Sequence, residues 1–394
     1  MDDSNPALCE VIARCIAESS QGRITFAEYM DLVLYHSQHG YYATKAIAIG
    51  PQGDFFTSPH LGADFGEMLA EQFFQMWQIL GQPQPFTLLE MGAGQGILAA
   101  DILKYLQQHH PDFFTALEYV IVEKSTALRQ QQQQRLQGLP SRWCSLEEIT
   151  TASITGCCFS NELVDALPVH QFMIEGGQLR EIYVTTKRGE GRKSLPEFTE
   201  VVGEPSTPRL AEYFELIDIE FPSSTYPDGY RSEVNLAALD WLSTVADKLQ
   251  RGYLVTIDYG YSAQRYYNPV RSRGTLQCYY RHRHHDNPYV NIGRQDITAH
   301  IDFTALERWG EVRGLHNIAF TQQGLFLMAL GLADRIAALS TTSDQSIQQL
   351  LRRRDALHQL IDPMGLGRFG VLVQSKGLAA EIAQPLKGLS FPSA

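Results

Sequence analysis

Apolar positions along the chain alternate between helical and strand spacing. Residues 6–19 and 25–35 carry apolar side chains at helical spacing. Thr25 followed by Glu28 forms a capping box, in which each side chain satisfies the other's free backbone N–H. Leu61, Phe65, Met68, Leu69, Phe73, Met76 and Trp77 mark the buried stripe of a long helix. Ser58 reads as its N-cap, with Pro59 at the first helical position.

Short apolar runs follow at 87–89, 118–123, weakly near Trp143, at 156–160 and at 252–260. Their length suits buried strands. Helical patterns separate them, from Ile97 onward and over 234–249. Residues 170–185 alternate about Gly176 and Gly177 and predict a β-hairpin. A helix is expected over 303–313, a strand over 318–321, helical structure over 324–360 and a closing strand over 369–374. Residues 187–228 are rich in Pro, Gly, Ser and Glu, and 262–302 are irregular and polar. Both read as insertions.

Strands alternating with helices predict an α/β fold: a mostly parallel sheet with helices on both faces. The expected organisation is a helical N-terminal region over 1–82 that covers the active site. A Rossmann-like domain follows over 83–394, with insertions at about 170–232 and 262–302.

Ligands of such sheets bind beyond the carboxyl ends of the strands. The polar residues of interest fall there: Glu90 and Gly92, Gly94 and Gly96 after the first strand, Glu123 after the second, Asn161 and Glu162 after the fourth, Asp258 after the fifth. The stretch TLLEMGAGQGILAADIL is strand, glycine turn, helix. Its G-x-G-x-G spacing is one residue shorter than the dinucleotide fingerprint G-x-G-x-x-G. Glu90 would also repel a pyrophosphate, whereas it could hold the ammonium of S-adenosylmethionine. Glu123 can accept both ribose hydroxyls of an adenosine, which NAD and S-adenosylmethionine share.

In NELVDALP, Glu162 and Asp165 are three apart and share a face if a helical turn forms. Two carboxylates there could bind a guanidinium and act as base. The plainer reading has Asn161 capping a helix with surface acids behind it. GDFFTSP, with Asp54, Thr57 and Ser58, is expected to close over the cofactor. HRHHD, from His282, reads as a loose exposed histidine cluster, with no metal site. Asp296, Thr298, His300 and Asp302 are candidates for the acceptor side. Glutamines 130–134 read as the solvated face of a helix.

The chain has 394 residues, six cysteines and a formal net charge of -12. That charge argues against general binding of nucleic acid. No C-x-x-C pair occurs, and Cys157 and Cys158 read as small core residues. No apolar run is long enough to span a membrane. The acidic start MDDSNPALCE resembles neither a signal peptide nor an arginine-rich transit peptide. A cytoplasmic protein is expected, or a mitochondrial-matrix one if a transit peptide lies ahead of Met1.

In order, GDFFTSP, LLEMGAGQGIL, EKSTALRQQQ, SNELVDALP, IDYG, and GRQDITAHIDF with a later FLMALGL resemble the MidA family. These are the mitochondrial complex I assembly methyltransferases and their bacterial relatives. The resemblance runs from about residue 24 to 377. It implies a class I methyltransferase fold, with one antiparallel strand near the C-terminus and S-adenosyl-L-methionine as cofactor. It implies N-methylation of an arginine in a core subunit of an NADH dehydrogenase-like complex, aiding its assembly. By matching motifs, Glu90, Gly92, Gly94, Gly96 and Glu123 carry over as cofactor ligands. Asn161, Glu162 and Asp165 carry over as the catalytic set. Ala93 and Gln95 replace the proline and arginine common in the family's glycine turn. Arginine methyltransferases use two glutamates after the fourth strand, and the hairpin region here offers no obvious second one. A small-molecule methyltransferase and a cofactor-binding assembly factor without methyl transfer remain alternatives. A homodimer is one assembly the sequence allows.

Overall fold

The computed structural model describes residues 3–44, 57–187, 195–281, 283–339, 346–378 and 384–390. Seven strands form the central sheet: β1 (Phe86–Met91), β2 (Leu117–Val122), β3 (Arg142–Cys144), β4 (Ile154–Asn161), β5 (Leu249–Asp258), β6 (His316–Gln322) and β7 (Gly370–Lys376). Their order across the sheet is β6-β7-β5-β4-β1-β2-β3. Strands β1 to β5 run parallel, and β7 is antiparallel to both β5 and β6. The expected α/β class and the antiparallel strand near the C-terminus are both present.

The order reverses at β1, between β4 and β2, so the crevice at its carboxyl end is the natural ligand site. Strand β1 is buried on both faces, which is why Leu88 and Leu89 stand side by side in it without a polar alternation. On one face, Leu88, Cys157 and Val255 pack under α3 (Asp64–Ile79) and α4 (Ile97–His109). On the other, Leu89, Cys158 and Leu254 pack under α6 (Leu236–Lys248) and α7 (Phe303–Val312). Alternate residues of each strand therefore anchor opposite helix layers, and vicinal Cys157 and Cys158 serve one face each. Phe73 of α3 lies against Phe159 at 5.0 Å. Truncating such a buried ring costs about 3–5 kcal/mol.

The N-terminal helices α1 (Pro6–Glu18) and α2 (Phe26–Tyr35) form as expected, and the Thr25–Glu28 capping box is present. Their apolar faces pack against Val169, Val184, Phe198, Cys278, Ile297 and Ala299. The N-terminal helices and both insertions thus share one core.

Both insertions are more ordered than their composition suggests. The hairpin His170–Glu175 and Gln178–Thr186 belongs to a five-stranded sheet with Ile24–Thr25, Phe198–Gly203 and Arg231–Val234. A helix spans Arg209–Leu216 within the first insertion. Residues 277–298 contribute a small three-stranded sheet. These strands are short and pair over long sequence distances, so local alternation reveals little of them. Ser58 does not cap a helix. Thr57 is the N-cap of a short 3-10 turn, Ser58–Leu61, and α3 starts only at Asp64. Ser58 is instead buried, and its hydroxyl donates to Oε1 of Gln323 at 3.3 Å.

Candidate active site

The chain leaves β1 through Gly92, Gly94 and Gly96, with φ of 72, 52 and 73. All three are left-handed, a conformation that costs a residue with Cβ about 1–2 kcal/mol. Gly96 caps α4. A Cβ on Gly92 would lie 2.7 Å from Cδ1 of Leu163, while one on Gly94 would enter open space.

A buried glutamine ties this turn to β2. Nε2 of Gln132 donates to the Gly94 carbonyl at 2.8 Å and to Oε2 of Glu123 at 3.1 Å. Trp143 Nε1 donates to Gln132 Oε1 at 2.8 Å. Gln132 lies in the glutamine run of α5 (Thr126–Arg135), so the reading of that run as a solvated face is wrong at this position. The run contains nothing that distinguishes Gln132 except helical phase with buried Leu128. Glu123 also accepts the backbone N–H of Ser125 at 2.8 Å. Burial raises its carboxyl above the usual range. Each oxygen holds one donor and retains capacity for another, as a ribose diol requires. Glu90 accepts the Tyr119 hydroxyl at 2.7 Å, and burial pushes its carboxyl up to about 7.

Glu90, Gly92, Gly94, Glu123, Asn161 and Glu162 line one cavity, with Thr57 and Pro59 at its side. Three carboxylates face it, and no lysine or arginine lines it among the described residues. The nearby His60 is kept neutral by burial, which lowers its pKa. A pyrophosphate would find no cation to pair with among these residues. A ligand bearing an ammonium and a sulfonium would be neutralised, so the residues present fit S-adenosylmethionine. Asp54 lies outside the described residues.

After β4 the backbone turns sharply. Glu162 has φ 52, left-handed without being glycine. Such a conformation costs of order 1–3 kcal/mol and persists where surrounding contacts impose it. Residues 164–166 then form a single 3-10 turn. Asn161 does not cap it, and its Nδ2 donates to Oε1 of Glu162 at 3.2 Å. Buried Asp258 at the end of β5 fixes the turn by accepting the N–H groups of Val164 and Asp165. Burial, then repulsion from Asp165, pushes Glu162 up to about 8. Burial pushes Asp165 up to about 6.

A second cavity adjoins the first. Glu162 and Tyr42 line both. Asp165, Asp296, Thr298 and His300 line the second cavity with Tyr259, Tyr279, Arg283 and Arg368. The second carboxylate after β4 is thus Asp165, three residues past Glu162, rather than a residue of the hairpin. Asp302 is not part of this wall. It caps α7, accepting the N–H groups of Thr304 and Ala305, and takes the Tyr213 hydroxyl at 3.1 Å. His284 lines the cavity, and His282 lies outside the described residues. Among the described residues no group of His, Cys, Asp or Glu converges to hold a metal ion.

Two tyrosines were not foreseen. Tyr35, at the end of α2, donates its hydroxyl to the Ala166 carbonyl at 2.8 Å and stacks on Tyr42. Tyr42 donates to Oδ1 of Asp296 at 3.0 Å, and its carbonyl accepts the Ser125 hydroxyl at 2.9 Å. The N-terminal region therefore reaches both cavities. The aromatic-rich YHSQHGYY is the only sequence signal that could have pointed there.

Residues 68–321 match the family model of S-adenosyl-L-methionine-dependent methyltransferases. The protein arginine methyltransferase NDUFAF7 homolog, mitochondrial, of Drosophila melanogaster is 30% identical over 94% of this chain and 86% of its own. The rat protein arginine methyltransferase NDUFAF7, mitochondrial, is 28% identical over 88% of this chain and 80% of its own. Among solved structures, a COG1565 superfamily methyl transferase from Burkholderia thailandensis, bound to S-adenosyl-homocysteine, is similar over 97% of this chain and 95% of its own. Its TM-score is 0.81, at 30% identity.

Proposed function

The chain belongs to the family of S-adenosyl-L-methionine-dependent methyltransferases, and we propose that it methylates an arginine in a core subunit of an NADH dehydrogenase-like complex, aiding assembly of that complex. One observation carries the arginine reading: two cavities meet at Glu162, and the second has Asp165 and Asp296 buried in its wall. A guanidinium placed there offsets the burial that holds Glu162 and Asp165 above their usual range, and with it the repulsion from Asp165 that adds to the shift at Glu162. The names of the fly and rat relatives agree with that acceptor.

The cofactor supplies an electrophilic methyl group on a sulfonium. Glu90 would hold its ammonium, Glu123 its ribose hydroxyls, and the glycine turn would let it approach the backbone. Thr57 and Ser58 would support that side, Thr57 from the cavity wall and Ser58 from behind. Glu162 and Asp165 would accept hydrogen bonds from the guanidinium and direct one nitrogen toward the methyl group, the near-attack placement that lowers the barrier. Asn161 holds Glu162 in place. Raised carboxylates are also suited to take up the proton lost after transfer. The N-terminal helices with both insertions form the cap over the site.

Among the described residues no helix is long and apolar enough to cross a membrane. We place the reaction wherever the substrate complex assembles, in the cytoplasm or the mitochondrial matrix.

The test mixes the protein with methyl-labelled S-adenosylmethionine and extract from cells lacking it. The expected product is methylarginine in one subunit of a large complex, lost with Glu162→Gln. Label in small molecules instead would overturn the protein-substrate reading. Tight cofactor binding without label would favour an assembly factor that does not transfer methyl groups.

A further inference from the structure

The acceptor-side cavity divides by charge. Asp165 and Asp296 are buried, with Glu162 partly buried beside them, whereas Arg283 and Arg368 are exposed. Neither arginine side chain has a hydrogen bond or ion pair among the described residues. A guanidinium acceptor explains the buried acids, but it does not explain two exposed guanidiniums, which would repel it.

Nor do the two arginines neutralise Glu162 or Asp165. Glu162 is shifted by burial, Asp165, Asn161 and the Ser58 backbone, and Asp165 by burial, Tyr259 and backbone groups. The field of Arg368 falls on Tyr279 and His300 instead. His300 is thereby kept uncharged, burial being the larger cause, so it adds no cation to the wall. The two arginines are free to meet something that arrives with the substrate. On a chain of net charge -12, they are a local positive spot at the mouth of the site. Such a spot steers an anionic group on approach and pairs with a carboxylate in bidentate fashion.

We propose that Arg283 and Arg368 recognise a carboxylate on the substrate chain close to the acceptor, so that the enzyme selects arginines with an acidic neighbour. This rests on the arginine-acceptor reading above. The floor takes the cationic side chain, and the rim takes an Asp or Glu of the same segment.

The experiment uses the full chain and chymotryptic peptides from cells lacking it. Chymotrypsin cuts after aromatic residues and leaves Arg, Asp and Glu intact. The peptides are incubated with methyl-labelled S-adenosylmethionine, and the labelled positions are sequenced by mass spectrometry. Labelled arginines should carry an acidic residue within about three positions, a span the extended chain covers in roughly 10 Å, several-fold more often than unlabelled arginines. The double variant Arg283→Glu, Arg368→Glu should shift the preference to basic neighbours. For one synthetic peptide pair, Glu-flanked against Gln-flanked, the KM of the wild type should differ by roughly five- to tenfold, with kcat alike. Absence of acidic enrichment, or the same enrichment in the double variant, overturns the proposal. Label on a residue other than arginine overturns the arginine reading alone: acidic enrichment around that residue would still support the rim's role, and its absence would overturn it.

Discussion

Oδ2 of Asp258 accepts the backbone N–H of Asp165 at 3.2 Å, although the two residues lie 93 positions apart. The same oxygen accepts the N–H of Val164 at 2.9 Å, and Oδ1 accepts that of Tyr259 at 2.9 Å. One carboxylate at the end of β5 therefore holds the turn that follows β4. Asp258→Ala would leave three N–H groups without their acceptor in a buried place, at about 1–3 kcal/mol each where water cannot replace it. A loss of about 2–5 kcal/mol in urea unfolding is expected, together with loss of methyl transfer. Asp258→Asn keeps one acceptor oxygen and should cost less. A wild-type unfolding midpoint in Asp258→Ala would refute this role.

Glu162→Gln separates charge from shape. The amide can still meet Asn161, and the left-handed backbone of the turn is unchanged. What disappears is the carboxyl that a cationic acceptor would draw into its ionised form at the junction of the cavities. Methyl transfer should fall by about 10²–10⁴-fold, the usual contribution of a positioned acid–base group. Cofactor binding, read by calorimetry, should survive, because Glu90 and Glu123 remain. Equal losses in binding and transfer would mean that Glu162 serves the cofactor alone.

The raised carboxyls set a pH dependence whose sign can be worked out. Glu90 at about 7 and Glu162 at about 8 hold protons in the folded chain that the unfolded chain has released. Their contribution to stability is present below the unfolded carboxylate range and is lost as pH rises toward 7 and 8. A cationic ligand reverses this, since it favours the ionised form. Stability of the free protein should therefore fall between pH 5 and 8, and the rise in Tm produced by S-adenosylmethionine should grow over the same interval. Thermal unfolding at several pH values, with and without ligand, checks both. A ligand effect that shrinks with pH would contradict the charge assignment.

How much of this was readable beforehand depended on distance along the chain. Glu90 lies near the end of a buried strand, and the three glycines, Glu123 and Glu162 follow one within five residues, so periodicity placed them at one edge of the sheet. Asp165 was identified by its spacing from Glu162, although the turn is 3-10 and not α-helical. Tyr42 was invisible because it meets Asp296 across 254 positions. Gln132 was hidden among identical neighbours, where only its phase on the helix separates it from the solvated ones. Ser58 was misread because Thr57 offers the same capping chemistry one residue earlier. The strand at Phe198–Gly203 pairs with Gln178–Thr186 at the periphery of the second sheet, and half-exposed side chains hid its period of two.

Gly92 and Gly94 are expected to fail differently when given a side chain. Both are left-handed, so alanine at either costs about 1–2 kcal/mol of backbone strain. At Gly92 the new Cβ also lies 2.7 Å from Leu163 Cδ1 and must displace the residue that follows Glu162. Gly92→Ala should therefore damage both cofactor binding and acceptor turnover. At Gly94 the Cβ meets nothing and points into open space beside the cavity. Gly94→Ala should weaken cofactor binding while leaving the turn after β4 intact. Asparagine tolerates the left-handed region better than alanine, so Gly94→Asn removes much of the strain while filling the space further. If Gly94→Asn recovers stability yet binds S-adenosylmethionine more weakly than Gly94→Ala, the open space is the cofactor's. If binding recovers together with stability, strain alone explains the alanine variant, and the cofactor does not pass over Gly94.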